Sequence, residues 1–349
     1  MIGEILAVGS VITFVLSNII FKRIDTEVSP SQINAVRTTV GFITFLIIAL
    51  AVGQFRTIFT FPPMLWFWLI LSFIIGQVIG DTAYFKAQEM LGTTIALAVS
   101  MTFPIFTVIF SIIIQKTTIP FYYFIAMPLI IIGVIVLALG KNKQNTDLIH
   151  DIRQNDDLIK TEIEINNSEN ELDQDQITES EIIDQKNKSR KFLILAIFIA
   201  LLASISWGSS SVLTDIAITD VDVFLGSSNY SVILGNLVRF PFAAITLSFM
   251  TIPDKKKKMK DWSKLTWLLL IISSLIGTSL GLYLYTEAMF RTNAAFVSII
   301  GSSSPLFSIP IAYLINKEKI NWLGFIGIIL TIAGVLVIFV LQLIYGNIQ

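Results

Sequence analysis

The 349-residue chain has no cysteine and one histidine, His150. Disulfides, thiol nucleophiles and cysteine-ligated zinc or iron–sulfur centres are excluded. Histidine-based metal sites and Ser–His catalysis have almost no material to work with. No Gly-x-x-x-x-Gly-Lys-Ser/Thr run is present, so there is no P-loop. Charge is also scarce: Asp, Glu, Lys and Arg make up 14% of the residues, against about a quarter in soluble domains. With no metal-ligand cluster, nucleophile–base pair or nucleotide motif, the chain does not read as an enzyme and calls for no cofactor. The N-terminus lacks the positive residues that open a secretory signal. Lys22 and Arg23 follow the first apolar block instead, so that block is expected to be retained as a helix.

What the chain does have is apolar sequence in long blocks. Hydrophobic residues make up 54% and the mean hydropathy is +0.77. Each block is about twenty residues, the length a helix needs to cross about 30 Å of hydrocarbon. The pattern predicts an all-α integral membrane protein of about ten transmembrane helices. The first five are expected near 3–21, 32–53, 65–85, 93–115 and 120–140. The second five are expected near 191–213, 228–250, 265–286, 292–315 and 322–345.

The two sets repeat each other. Gly76, Gly80, Tyr84, Ala87, Pro104, Phe106 and Gly133 fall without a gap on Gly277, Gly281, Tyr285, Ala288, Pro305, Phe307 and Gly334. Each half holds an odd number of spans. A shared fold therefore requires the halves to enter the membrane in opposite senses, as inverted five-helix repeats with a solute site where they meet. The expected organisation is a first repeat at 1–140, a linker at 141–190 and a second repeat at 191–349. Thirteen of the chain's 25 acids fall in the linker. So polar a segment cannot bury enough apolar surface to offset its ordering entropy, so disorder is expected.

Lys and Arg cluster on one side of the predicted spans. They include Lys22, Arg23, the linker ends, Lys255 to Lys258 and Lys260. The positive-inside rule then places the linker in the cytoplasm and both termini outside.

Polar residues within the spans are the functional candidates, because charge in hydrocarbon is costly. Arg37 and Arg239 recur as Asn34-x-x-Arg37 and Asn236-x-x-Arg239 on the second helix of each half. An arginine suits a carboxylate or phosphate through bidentate hydrogen bonds, which favours an anionic or zwitterionic solute. Asp81 and Glu287 are candidates for carrying a coupling proton. The fourth helix carries Ser100, Thr102 and Pro104, and the matching segment of the ninth carries Ser302, Ser303 and Pro305. Proline frees backbone groups that hydroxyls can satisfy, so a kinked polar segment there could hold a solute. Trp207 and Ser211, with Asn18 in the counterpart stretch of the first helix, and Tyr285 complete the expected cavity wall.

These residues resemble the EamA family of the drug/metabolite transporter superfamily. The resemblance rests on Trp207-Gly208-Ser209, Arg37 and Arg239, the Gly80…Tyr84…Ala87 and Gly281…Tyr285…Ala288 patterns, Pro104, Pro305, Glu318, Gly133 and Gly334. It covers both halves and omits 141–190. It implies inverted repeats around a central cavity and secondary transport of small organic solutes, often outward. It also implies cytoplasmic termini, the reverse of the charge reading. Two departures stand in the first half: Lys116-Thr117-Thr118 lacks the glutamate of Lys317-Glu318-Lys319, and the first helix lacks the Trp-Gly pair. The expected function is a cell-membrane secondary transporter, an exporter of small metabolites by alternating access. The competing reading is a non-transporting scaffold or sensor that signals through the acidic linker. Membrane lipids are expected partners and nucleic acid is not.

Overall fold

Hydrophobic residues cover the outside of this protein, and small polar residues fill much of its inside. Ile43, Ile47, Leu50, Phe198, Ile245, Phe249 and Leu336 are exposed, whereas Ser17, Thr38, Ser72, Ser204, Asn236, Ser273 and Ser298 are buried. That is the reverse of a water-soluble domain. It suits a bundle whose solvent is hydrocarbon and whose helices touch through small residues. The computed structural model describes residues 2–24, 27–91, 93–136, 179–251, 259–304, 306–307 and 322–345.

All regular structure among the described residues is helical. The first half runs α1 Ile2–Lys22, α2 Pro30–Ala51, α3 Pro63–Leu91, α4 in two pieces (Thr93–Ser100 and Phe103–Phe110, with a π turn to Gln115) and α5 Phe121–Val136. The second half runs α6 Glu179–Leu225, α7 Ser231–Met250, α8 Lys264–Arg291, α9 Ala294–Ser302 and α10 Trp322–Tyr345. Among the described residues, eight helices are long and apolar enough to cross a membrane, and Phe121–Val136 is a shorter apolar one.

Local chemistry sets the helix starts. Ser29 and Gln32 form a capping box ahead of α2, with Pro30 in the first turn, where its missing N–H costs nothing. Ser263 caps α8 by accepting from Thr266 N, and Asn293 caps α9 by accepting from Phe296 N. Three helices run past their expected ends. α3 continues to Leu91, with Lys86 and Glu89 paired at 3.0 Å on its exposed face. α8 continues to Arg291, where Arg291 pairs with Glu287 one turn back. α6 passes through Asp215 and stops at Gly226 and Ser227, both with positive φ. It also begins at Glu179, inside the segment expected to be a linker. The remainder of that linker and Pro305 lie outside the described residues.

The halves interlock by exchange of partners. α1 packs on α8 of the other half, α6 packs on α3, and α2 packs on α7. Ser17 Oγ donates to Ser273 O at 2.9 Å, and Ser210 Oγ donates to Ser72 O at 2.7 Å. These two bonds occupy equivalent repeat positions. The accepting carbonyls lie just ahead of matching π-helical segments, Ile74–Gly80 in α3 and Leu275–Leu280 in α8. A π segment widens the helix and is often found at functional sites. The glycines that reveal the repeat are contact points. A Cβ at Gly76 would collide with Ser210 and one at Gly277 with Ser17. Gly133 meets Thr331, and Gly334 meets Ile130, joining α5 to α10.

Candidate solute cavity

A cavity of about 210 Å³ lies where the repeats meet. It is smaller than the roughly 300–1,000 Å³ of drug-sized sites, so it suits a small solute. Ser10, Val11 and Phe14 of α1, Arg37 of α2, and Phe73, Gly76, Gln77 and Asp81 of α3 supply part of the wall. Trp207, Ser210, Ser211 and Thr214 of α6, Arg239 of α7, and Gly277, Gly281, Leu282 and Tyr285 of α8 supply much of the rest. Met101 and Phe103 flank the break in α4 and also line it.

Arg37 and Arg239 start from the same local arrangement. Arg37 Nε donates to Asn34 Oδ1 at 2.8 Å, and Arg239 Nη1 donates to Asn236 Oδ1 at 3.1 Å. The asparagine one turn earlier holds each guanidinium, which explains the recurring Asn-x-x-Arg spacing. Beyond that they differ. Arg37 forms an ion pair with Asp81 and reaches Gln77 Oε1 at 3.5 Å. Asp81 also accepts from Trp207 Nε1 at 2.9 Å, which links α2, α3 and α6 across the repeat boundary. Arg239 is 2% exposed. Its Nη2 donates to Thr214 Oγ1 at 2.7 Å, and its guanidinium carbon lies 4.8 Å over the Phe73 ring. Its Nε has no hydrogen-bond partner among the described residues. Tyr285 OH lies 2.9 Å from Ser211 Oγ. Ser211 donates to Trp207 O, so the tyrosine proton goes to Ser211.

Of the residues expected from sequence, Arg37, Asp81, Trp207, Ser211, Arg239 and Tyr285 line this one cavity. The others do not. Asn18 is exposed, and its neighbour Ser17 makes the repeat contact. The hydroxyls beside the proline breaks are used locally. Thr102 donates to Val99 O, Ser302 to Ile299 O and Ser303 to Ile300 O, at 2.6–2.8 Å. Ser100 donates across to Ala200 O at 3.3 Å. Glu287 is taken up by Arg291 rather than the cavity. Pro104 sits in the first turn of the second piece of α4, directly after the break.

The sequence reading missed Ser10, Gln77 and Thr214, neutral polar residues without a distinctive motif. It also missed Asp215, a buried acid within α6. Asp215 Oδ2 accepts from Gln115 Nε2 at 2.9 Å and from Ala294 N at 3.2 Å, tying the end of α4 to the start of α9. An acid at that depth was a visible signal, lost because α6 was expected to end before it.

Comparison with known proteins agrees with this architecture. A family model described as the EamA-like transporter family matches residues 1–139 and 194–340. An uncharacterized transporter of Synechocystis sp. is 26% identical over 80 residues, 23% of each chain. An uncharacterized transporter of Clostridium kluyveri is 28% identical over 103 residues, 30% of this chain and 33% of the relative. The matched stretches thus span a quarter to a third of these relatives. A protein crystal structure superposes with a TM-score of 0.68 at 14% identity, covering 97% of this chain and 96% of that chain, which shows a shared fold. Two interlocked repeats, lipid-compatible outer faces and a family match over both halves lead to one conclusion: the chain is a multi-pass membrane protein of the EamA-like transporter family.

Proposed function

We propose that this protein is a secondary transporter that exports small organic metabolites, with the inter-repeat cavity as its solute site. The observation that carries the reading is the position of the cavity. It is walled by residues of both repeats and holds both recurring arginines. Rocking one repeat against the other about the paired Ser17–Ser273 and Ser210–Ser72 contacts would open it to each side in turn. The arginines supply hydrogen-bond donors for an anionic or zwitterionic solute, and Phe14, Phe73 and Met101 supply apolar contact. Asp81 lines the cavity and Glu287 does not, so the coupling role is assigned to Asp81. The charge distribution supports a cytoplasmic linker and external termini.

Purified protein in liposomes tests the reading. Flux of labelled small metabolites above that of empty liposomes is expected. No flux for a broad panel, from protein that still binds solute, would leave a receptor rather than a carrier.

A further inference from the structure

The two arginines of the cavity differ in charge balance, and the difference is written into the repeat. Asp81 of α3 neutralises Arg37. The position of Asp81 in the second repeat is occupied by Leu282, which also lines the cavity. Arg239 therefore lacks the acid its counterpart has. It is 2% exposed, has no ion-pair partner among the described residues and keeps Nε without an acceptor. Its contacts to Asn236 Oδ1, Thr214 Oγ1 and the Phe73 ring are dipolar or quadrupolar and carry no net negative charge. Isolated charges in a low-dielectric interior are costly, and pairing is the usual remedy. No described residue supplies that pair, and an anionic solute in the cavity would.

We propose that Arg239 is the docking point for a single carboxylate, and that the site selects a monoanion with an apolar body over a zwitterion or a cation. The proposal rests on the reading of the cavity as the solute site and adds the charge of the solute. The described charges that line the cavity are Arg37, Asp81 and Arg239, and together they sum to one positive charge. A monoanion brings that sum to zero. A zwitterion brings an ammonium for which the wall has no free carboxylate, because Asp81 already receives Arg37 and Trp207 Nε1. Phe73 beneath the guanidinium, with Phe14 and Met101 also in the cavity wall, receives the apolar part.

The test uses three probes on one carbon skeleton: 3-phenylpropanoate (monoanion), phenylalanine (zwitterion) and phenethylamine (cation). Equilibrium binding to the full-length protein in detergent micelles is measured by calorimetry and by thermal stabilisation, so that no transport step is needed. 3-Phenylpropanoate is expected to bind at least tenfold more tightly than the other two. Arg239→Gln should weaken it by roughly 10- to 100-fold, the scale of a hydrogen bond to a charged group. Leu282→Asp installs the missing partner and should remove the preference for the monoanion, while Leu282→Asn, similar in shape and uncharged, should keep it. Folding of each variant is checked by monodispersity and helical circular dichroism. The proposal is overturned by equal or reversed affinities, by absence of binding of 3-phenylpropanoate, or by its undiminished binding to folded Arg239→Gln. Charge-selective binding without flux in liposomes would overturn the transport reading alone. Flux of solutes without charge selectivity would overturn this one alone.

Discussion

Asp81→Asn removes the charge that balances Arg37 and almost nothing else. The amide keeps an oxygen for Trp207 Nε1, now 2.9 Å from Asp81 Oδ1, so the link between α3 and α6 can persist. Arg37 is left buried, with its side chain 13% exposed and only Asn34 and Gln77 as acceptors. Removing one partner of a buried pair costs about 3–5 kcal/mol. The cavity admits some solvent to Arg37, so the lower end, about 3 kcal/mol, is expected. Arg37→Gln should cost a similar amount by stranding Asp81. The double variant should cost clearly less than the sum, with a coupling of about 1–3 kcal/mol. Denaturant-induced unfolding in mixed micelles, followed by tryptophan fluorescence and circular dichroism, measures all three. If Asp81→Asn unfolds within about 0.5 kcal/mol of the wild type, or if the two changes simply add, the pair does not hold α2 to α3 as described.

Gly76→Ala and Gly277→Ala each place a methyl group against a serine of the opposite repeat, and each should destabilise by about 1–3 kcal/mol in the same assay. Ser17→Ala and Ser210→Ala remove equivalent bonds to Ser273 O and Ser72 O and should each cost about 1 kcal/mol. Glu287→Gln breaks a pair with half-exposed Arg291 outside the cavity, so binding of 3-phenylpropanoate should be unchanged within about twofold. Deleting residues 150–178 should leave liposome flux intact; flux lost with the linker would make that segment part of the transport machinery. A reporter fused after Gln349 should be inactive in the cytosol if the charge distribution sets the topology.

Much of the fold was legible because glycine, proline and serine carry position whereas leucine and isoleucine do not. Gly76 and Gly277 matched in the sequence because each must admit a serine of the other repeat. The arginine pair was legible for a similar reason: Asn34 and Asn236 stand one turn ahead and hold the guanidinium. Rotation of a helix about its axis was harder to read. α1 is apolar on nearly every side, so periodicity could not show that Ser17 faces the partner repeat while Asn18 faces out. The hydroxyls near Pro104 looked available for a solute, but Thr102, Ser302 and Ser303 bond to carbonyls three residues back on their own chain. That is a common alternative for serine and threonine. The difference between Asp81 and Leu282 was present in the aligned repeats. Its meaning required knowing that Asp81 reaches Arg37 on another helix.

The absence of cysteine allows a direct test of the central claim, that one cavity between the repeats takes the solute and faces each side in turn. Thr278→Cys places a single thiol in the cavity wall. In oriented liposomes a membrane-impermeant maleimide should label it from either side, and 3-phenylpropanoate should slow labelling from both. Labelling from one side only, or labelling indifferent to 3-phenylpropanoate, would contradict the account.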